Sequence, residues 1–157
     1  MDYFVYLKLE NYLAEWYINE CGGNPCILKK GSAESDLLEL FLQKQPADVP
    51  VDLGKEANVV IKIPVFKHHD PRTYNYLPPK AKQALARTIY VRFRVQLWQD
   101  LYKLEHTETP ITDLIYAWME AHGISDNEKN WENIRQMYLR KRNNYRKCRK
   151  NPPNSED

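Results

Sequence analysis

Apolar residues recur along this chain at steps of two in some stretches and of three or four in others, and the change of step predicts the elements. Residues 2–9 alternate loosely and are rich in aromatics, which predicts a strand. From Asn11, the set Leu13, Trp16, Tyr17 and Cys21 falls at three- and four-residue steps. This predicts a short amphipathic helix stopped by Gly22 and Gly23. Residues 26–29 suit a second short strand. Ser32 is placed to cap a helix running to about Gln43, with Leu37, Leu38, Leu40, Phe41 and Leu42 as a broad apolar face. A loop with two prolines and Gly54 covers 45–55. The β-branched run Val59-Val60-Ile61-Lys62-Ile63 then anchors a strand over 58–66. A second loop runs from His68 to Pro79 and displays Tyr74 and Tyr76.

Two patterns compete over 80–104. Ile89, Val91, Phe93, Val95 and Leu97 alternate strictly with polar or interfacial residues, as in a strand. The flanking stretches are strong helix formers, and no Gly, Pro or Asn lies between 80 and 106 to switch the backbone. One long central helix over 80–104 is therefore expected, entered through Pro78-Pro79. Another helix is expected over 112–121, burying Leu114, Ile115, Trp118 and Met119 and ending at Gly123. Ser125 and Glu128 have capping-box spacing for a last helix, along one side of which lie Trp131, Ile134, Tyr138, Tyr145 and Cys148. The fold class expected is α+β, a small N-terminal sheet with two helices followed by a three-helix section ending in a long basic helix. One domain spans 1–150, with a mixed sheet and helix part (1–78) and a helical part (79–150). The tail 151–157 has no reason to be ordered.

Composition narrows the setting. Among 157 residues, 43% are hydrophobic and eleven are tyrosine, enough to build a core. No apolar run approaches the roughly 18 to 20 residues that span a bilayer, and the N-terminus lacks the form of a secretory signal, so a cytoplasmic protein away from membranes is expected. Cys21, Cys26 and Cys148 make no CxxC pair. Reduced thiols are the expectation, although a Cys21–Cys26 disulfide across Gly22-Gly23-Asn24-Pro25 is geometrically open.

Charge changes the picture most. The chain is nearly balanced, at 23 basic against 21 acidic residues, yet the charges fall in blocks. Residues 105–134 carry one base and seven acids, and residues 135–150 carry eight bases and no acid. The eight are Arg135, Arg140, Lys141, Arg142, Arg146, Lys147, Arg149 and Lys150, with Tyr138 and Tyr145 among them. On a helical wheel Arg135, Arg142, Arg146 and Arg149 form a stripe beside the apolar one, with Arg140 and Lys147 on a different flank. Guanidinium groups in a row suit phosphate oxygens, to which each donates two coplanar hydrogen bonds. A partner of dense negative charge is implied, nucleic acid first, with DNA favoured over RNA. Eight phosphate contacts would give a log–log salt slope of about −7. The competing readings are a solvated helix end and partial neutralisation by the acidic block just before it.

Residues 111–148, with Ala121-His122-Gly123-Ile124-Ser125 at the turn, resemble a helix-turn-helix DNA-binding unit, which implies a DNA partner. The pattern departs from that motif in two ways. Glu128 stands where the compact form places an apolar residue, and the bases cluster late in the last helix rather than at its reading end. Contacts to the phosphate backbone are expected instead of base reading. The chain as a whole resembles uncharacterised proteins of Bacteroides-type bacteria, a likeness that implies no activity.

Other chemistry is thinner. His68-His69-Asp70 is the single local run of metal-ligand types, with His68 and Asp70 at i,i+2, and solvated side chains in a loop before Pro71 are the favoured reading. Lys67, Arg72, Lys80 and Lys82 around Tyr74 and Tyr76 suggest a second basic, aromatic surface, unless those tyrosines pack the loop onto the core. Arg87 and Arg94 fall inside the apolar arc of the central helix and must be paired or reach past it to solvent. Glu34, Asp36 and Glu39 are expected on the polar side of their helix. No Gly-rich phosphate loop, GxSxG turn or HExxH occurs. The expected function is a non-catalytic nucleic-acid-binding accessory protein without a cofactor. The alternatives are an interaction module for an acidic protein and, more distantly, a metal-dependent hydrolase using His68 and Asp70.

Overall fold

Two glycines fix where the first helix stops. Gly22 adopts φ 78°, open to a residue without Cβ, and the Gly22 and Gly23 N–H groups close the helix end on the Asn19 and Ile18 carbonyls. That helix, α1 (Asn11–Cys21), follows strand β1 (Phe4–Leu7). The computed structural model describes residues 1–150; the expected tail, 151–157, lies outside the described residues. The architecture is α+β, and the chain divides into two compact units, Met1–Phe93 and a second that begins at Arg94.

In the first unit β1 pairs antiparallel with β4 (Val59–Lys62), and β2 (Cys26–Ile27) pairs parallel with the other edge of β4. Val59 and Ile61 are fully buried, so the β-branched run occupies the central strand. Helix α2 (Ala33–Phe41) starts at the expected cap, where the Ser32 hydroxyl accepts the Ser35 N–H at 3.2 Å. Its face differs from expectation. Leu38 and Leu42 are buried, Leu40 is 72% exposed, and Glu34 is buried against the Arg92 guanidinium. A carboxylate enters a core only with such a partner, which lies 58 residues away in sequence.

The loop expected at 68–79 contains a strand, β5 (Tyr74–Tyr76), paired with β3 (Gln43–Lys44). Tyr74 packs against the His69 ring, Arg72 binds Asp70 at 2.7 Å, and Lys82 binds Asp52 at 2.9 Å. Of the second basic, aromatic surface, Arg72 and Lys82 are thus ion-paired and Tyr74 is packed, while Lys67 and Lys80 are exposed. Gly54, at φ 71°, lies against the Tyr6 ring with no room for a Cβ.

Helix α3 (Pro79–Tyr102) settles the rivalry over 80–104. Ile89, Phe93, Leu97 and Leu101, four residues apart, are all nearly inaccessible, whereas Val91 and Val95 are 39% and 49% exposed. A strand would have put 89, 91, 93, 95 and 97 on one face. Its first part belongs to the first unit, where the Phe93 ring meets Trp16 and Tyr12 at 5.4 and 5.2 Å. Arg87 is exposed and lies over the Tyr90 ring, and Arg94 is exposed too.

The second unit takes the end of α3, a 3-10 turn (Glu105–Thr107), α4 (Ile111–Ala121) and α5 (Glu128–Lys150). Ile115, Trp118, Met119, Ile124, Ile134 and Tyr138 fill its core. Trp118 donates to Asp100 at 2.9 Å, which ties α4 to the end of α3. Among the described residues no helix is long and apolar enough to cross a membrane.

Candidate nucleic-acid interface

Helix α5 begins two residues later than the capping box implied. Glu128 is its first residue, and the cap is Asn127, whose carboxamide oxygen accepts the Asn130 N–H at 2.9 Å. Asn130 is buried and donates back to the Ser125 carbonyl at 3.0 Å, locking the entry to the helix. Ile134 and Tyr138 then seat the first half in the core, and Trp131 stacks on Tyr116 at 5.5 Å. Burial pushes the Tyr138 phenol above its ordinary pKa.

Beyond Tyr138 the helix is held by rings. Trp98 and Tyr102, one turn apart on α3, stack at 5.0 Å, and Tyr145 meets them at 5.5 and 5.3 Å. The Tyr102 and Tyr145 hydroxyls lie 3.3 Å apart. The far half of α5 is therefore clamped along one side and open along the other.

The eight basic residues divide into four groups on this scaffold. Arg135 lies over the Trp131 ring at 5.6 Å with Glu132 3.8 Å away, at the docked end. Arg146 binds Glu105 at 3.0 Å, and Arg142 approaches the same carboxylate at 3.8 Å without a hydrogen bond from its Nε. Lys141 and Arg149 sit 5.9 Å from the Trp98 and Tyr145 rings, exposed cation–π contacts worth about 0.5 to 1 kcal/mol each. Arg140, Lys147 and Lys150 are exposed and hold no ion pair with any described residue.

The helical period explains the division. At about 100° per residue, Arg140, Lys147 and Lys150 fall within about 80° of one another, opposite Ile134 and Tyr138. Gln136 and Asn143 share that side, and among the described residues no acid follows Glu132. The stripe of Arg135, Arg142, Arg146 and Arg149 lies beside the docked face, where carboxylates and rings occupy it. The outward face is the other flank.

Three participants were not identifiable from the sequence. Glu105 sits 41 residues from Arg146, so no local spacing links them; the acidic composition of its block was the available signal. Trp98 and Tyr102 carry no sequence feature that singles them out on their long helix, and their ring faces become a platform only because α5 crosses them.

The alternative metal site does not gather. The Arg72 side chain and N–H engage Asp70 and hold its carboxyl below the ordinary range. His68 is exposed, and among the described residues no group of three or more His, Cys, Asp or Glu converges on one point. No known protein family, curated protein or solved structure matches this chain.

Proposed function

We propose that this protein binds nucleic acid through the phosphate backbone, using the outward face of α5. The observation that carries the reading is Arg140, Lys147 and Lys150 on an exposed, acid-free face, flanked by Lys141 and Arg149. Arg140, Lys147 and Lys150 stand opposite the side of the helix that is clamped by rings, so little ordering is required when phosphates arrive. Sequence preference is not expected. The start of α5 carries Glu128 and Glu132, which repel phosphate where a reading helix would meet bases.

The test is a salt titration of a labelled DNA duplex with the full chain. Arg140→Ala with Lys147→Ala should lower the log–log slope by about 1.8 and weaken all sequences alike, because each phosphate contact contributes about 0.9. Arg142→Ala with Arg146→Ala should change it less, since Glu105 already holds those groups. Unaltered binding in the first double variant refutes the proposal. A nuclease-resistant complex with an acidic protein, and no DNA binding, would replace it with the interaction-module reading.

A further inference from the structure

The loop between α1 and β2 brings two thiols together in the first unit. Cys21 is the last residue of α1 and Cys26 the first of β2. The turn at Gly22 reverses the chain, and the Val60 N–H binds the Asn24 side-chain oxygen at 2.9 Å, pinning the loop to β4. Cys26 is further fixed by its register opposite Ile61. Both sulfurs are reduced and within hydrogen-bonding reach of one another. They differ in access, since Cys21 is half-buried and Cys26 is fully buried.

The surroundings are unusually polar for a core. The Tyr17 hydroxyl is buried, makes no well-formed hydrogen bond and lies beside the Cys21 sulfur. Glu34 gives one carboxylate oxygen to Arg92 and leaves the other buried without a partner. The Arg92 guanidinium also lies over the Trp16 ring at 5.6 Å. The Cys21 thiol lies below its ordinary pKa, chiefly because the Cys26 thiol donates to it, with burial opposing. Cys26 moves the other way, first because its proton is held by Cys21 and then through burial. One thiol is thus the more accessible and has a lowered pKa; the other is sheltered and has a raised one.

We infer that Cys21 and Cys26 form a thiol–disulfide exchange site, in which Cys21 attacks a low-molecular-weight disulfide of the glutathione type and Cys26 closes an internal disulfide. In the first step the Cys21 thiolate attacks one sulfur of RS–SR. The S–S bond breaks, a Cys21–SR mixed disulfide forms and RS⁻ departs. In the second step Cys26 attacks the Cys21 sulfur, its proton passes to a departing thiolate, and the second RS group leaves. After one further proton from solvent, the products are the Cys21–Cys26 disulfide and two RSH. Two electrons have moved from the cysteines to the small disulfide. Gly22 and Gly23 have open space around them, so the loop can follow the sulfurs as they draw to a bond of about 2.05 Å.

The experiment incubates the full chain with oxidised glutathione and maps modified cysteines by mass spectrometry, with exposed Cys148 as an internal reporter of reagent strength. Wild type should gain one internal Cys21–Cys26 disulfide and carry glutathione on Cys148 alone. Cys26→Ser should trap glutathione on Cys21, and Cys21→Ser should leave Cys26 unmodified. Cys26→Ala serves as a second arrest variant if serine is poorly accepted at that buried position. In the reduced protein, iodoacetamide should label Cys21 at least about tenfold faster than Cys26. Glutathione persisting on Cys21 in the wild type overturns the inference. So does no internal disulfide when Cys148 is fully modified, or Cys26 reacting first.

Discussion

Replacing Glu105 with glutamine should strengthen nucleic-acid binding, because that carboxylate restrains two guanidinium groups of α5. Arg146 lies 3.0 Å from it and Arg142 3.8 Å, and the Arg146 and Glu105 side chains are 54% and 28% exposed. An ion pair this open contributes about 0.2 to 1 kcal/mol to stability, so Glu105→Gln should leave the fold intact. With Glu105 present, five cations are available: Arg140, Lys141, Lys147, Arg149 and Lys150. At about 0.9 per contact their slope is about −4.5, an affinity loss of about 500-fold between about 50 and about 200 mM salt. Releasing Arg142 and Arg146 makes seven, a slope of about −6.3 and a loss of about 6,000-fold over the same range. Fluorescence anisotropy of a labelled duplex across that range separates the two. Glu108→Gln is the control, since it removes the same charge from a neighbour that makes no ion pair among the described residues. Equal slopes for wild type and Glu105→Gln would refute the idea that this carboxylate withholds the two arginines. Equal steepening by Glu105→Gln and Glu108→Gln would reduce the effect to net charge.

Two further outcomes test the structure beneath the site. Asn127→Ala removes the cap of α5 and should lower unfolding free energy by about 0.5 to 2 kcal/mol in a denaturant titration; an unchanged midpoint would move the start of the helix elsewhere. Burial, then the nearby Tyr90 and Glu10, push the Tyr12 phenol up to about 12, above its ordinary 10. A raised folded pKa means that this contribution is whole below about pH 10 and is lost as pH climbs toward about 12. Tyr12→Phe should therefore lose less stability than wild type between those values, and parallel losses would contradict the burial.

Much of the fold is local enough to be legible in the sequence. Helix α1 occupies the residues its apolar steps and glycine stop imply, and α2 starts from Ser32, because caps and stops act within a few residues. Helix α3 follows from an absence, the lack of any breaker across its length. Segregation of the basic block was equally visible. What remained hidden depends on partners far along the chain. Strands β3 and β5 are two and three residues long, too short for periodicity to announce, and exist because each supplies the other's backbone partners. Glu34 reads as a surface residue until Arg92 arrives to neutralise it inside the core. The candidate interface divides in the same way. The number of cations on α5 follows from its residues alone, whereas packing against Trp98, Tyr102 and Glu105 decided which of them face solvent, since a helix has several sides and only its neighbours determine which stays open.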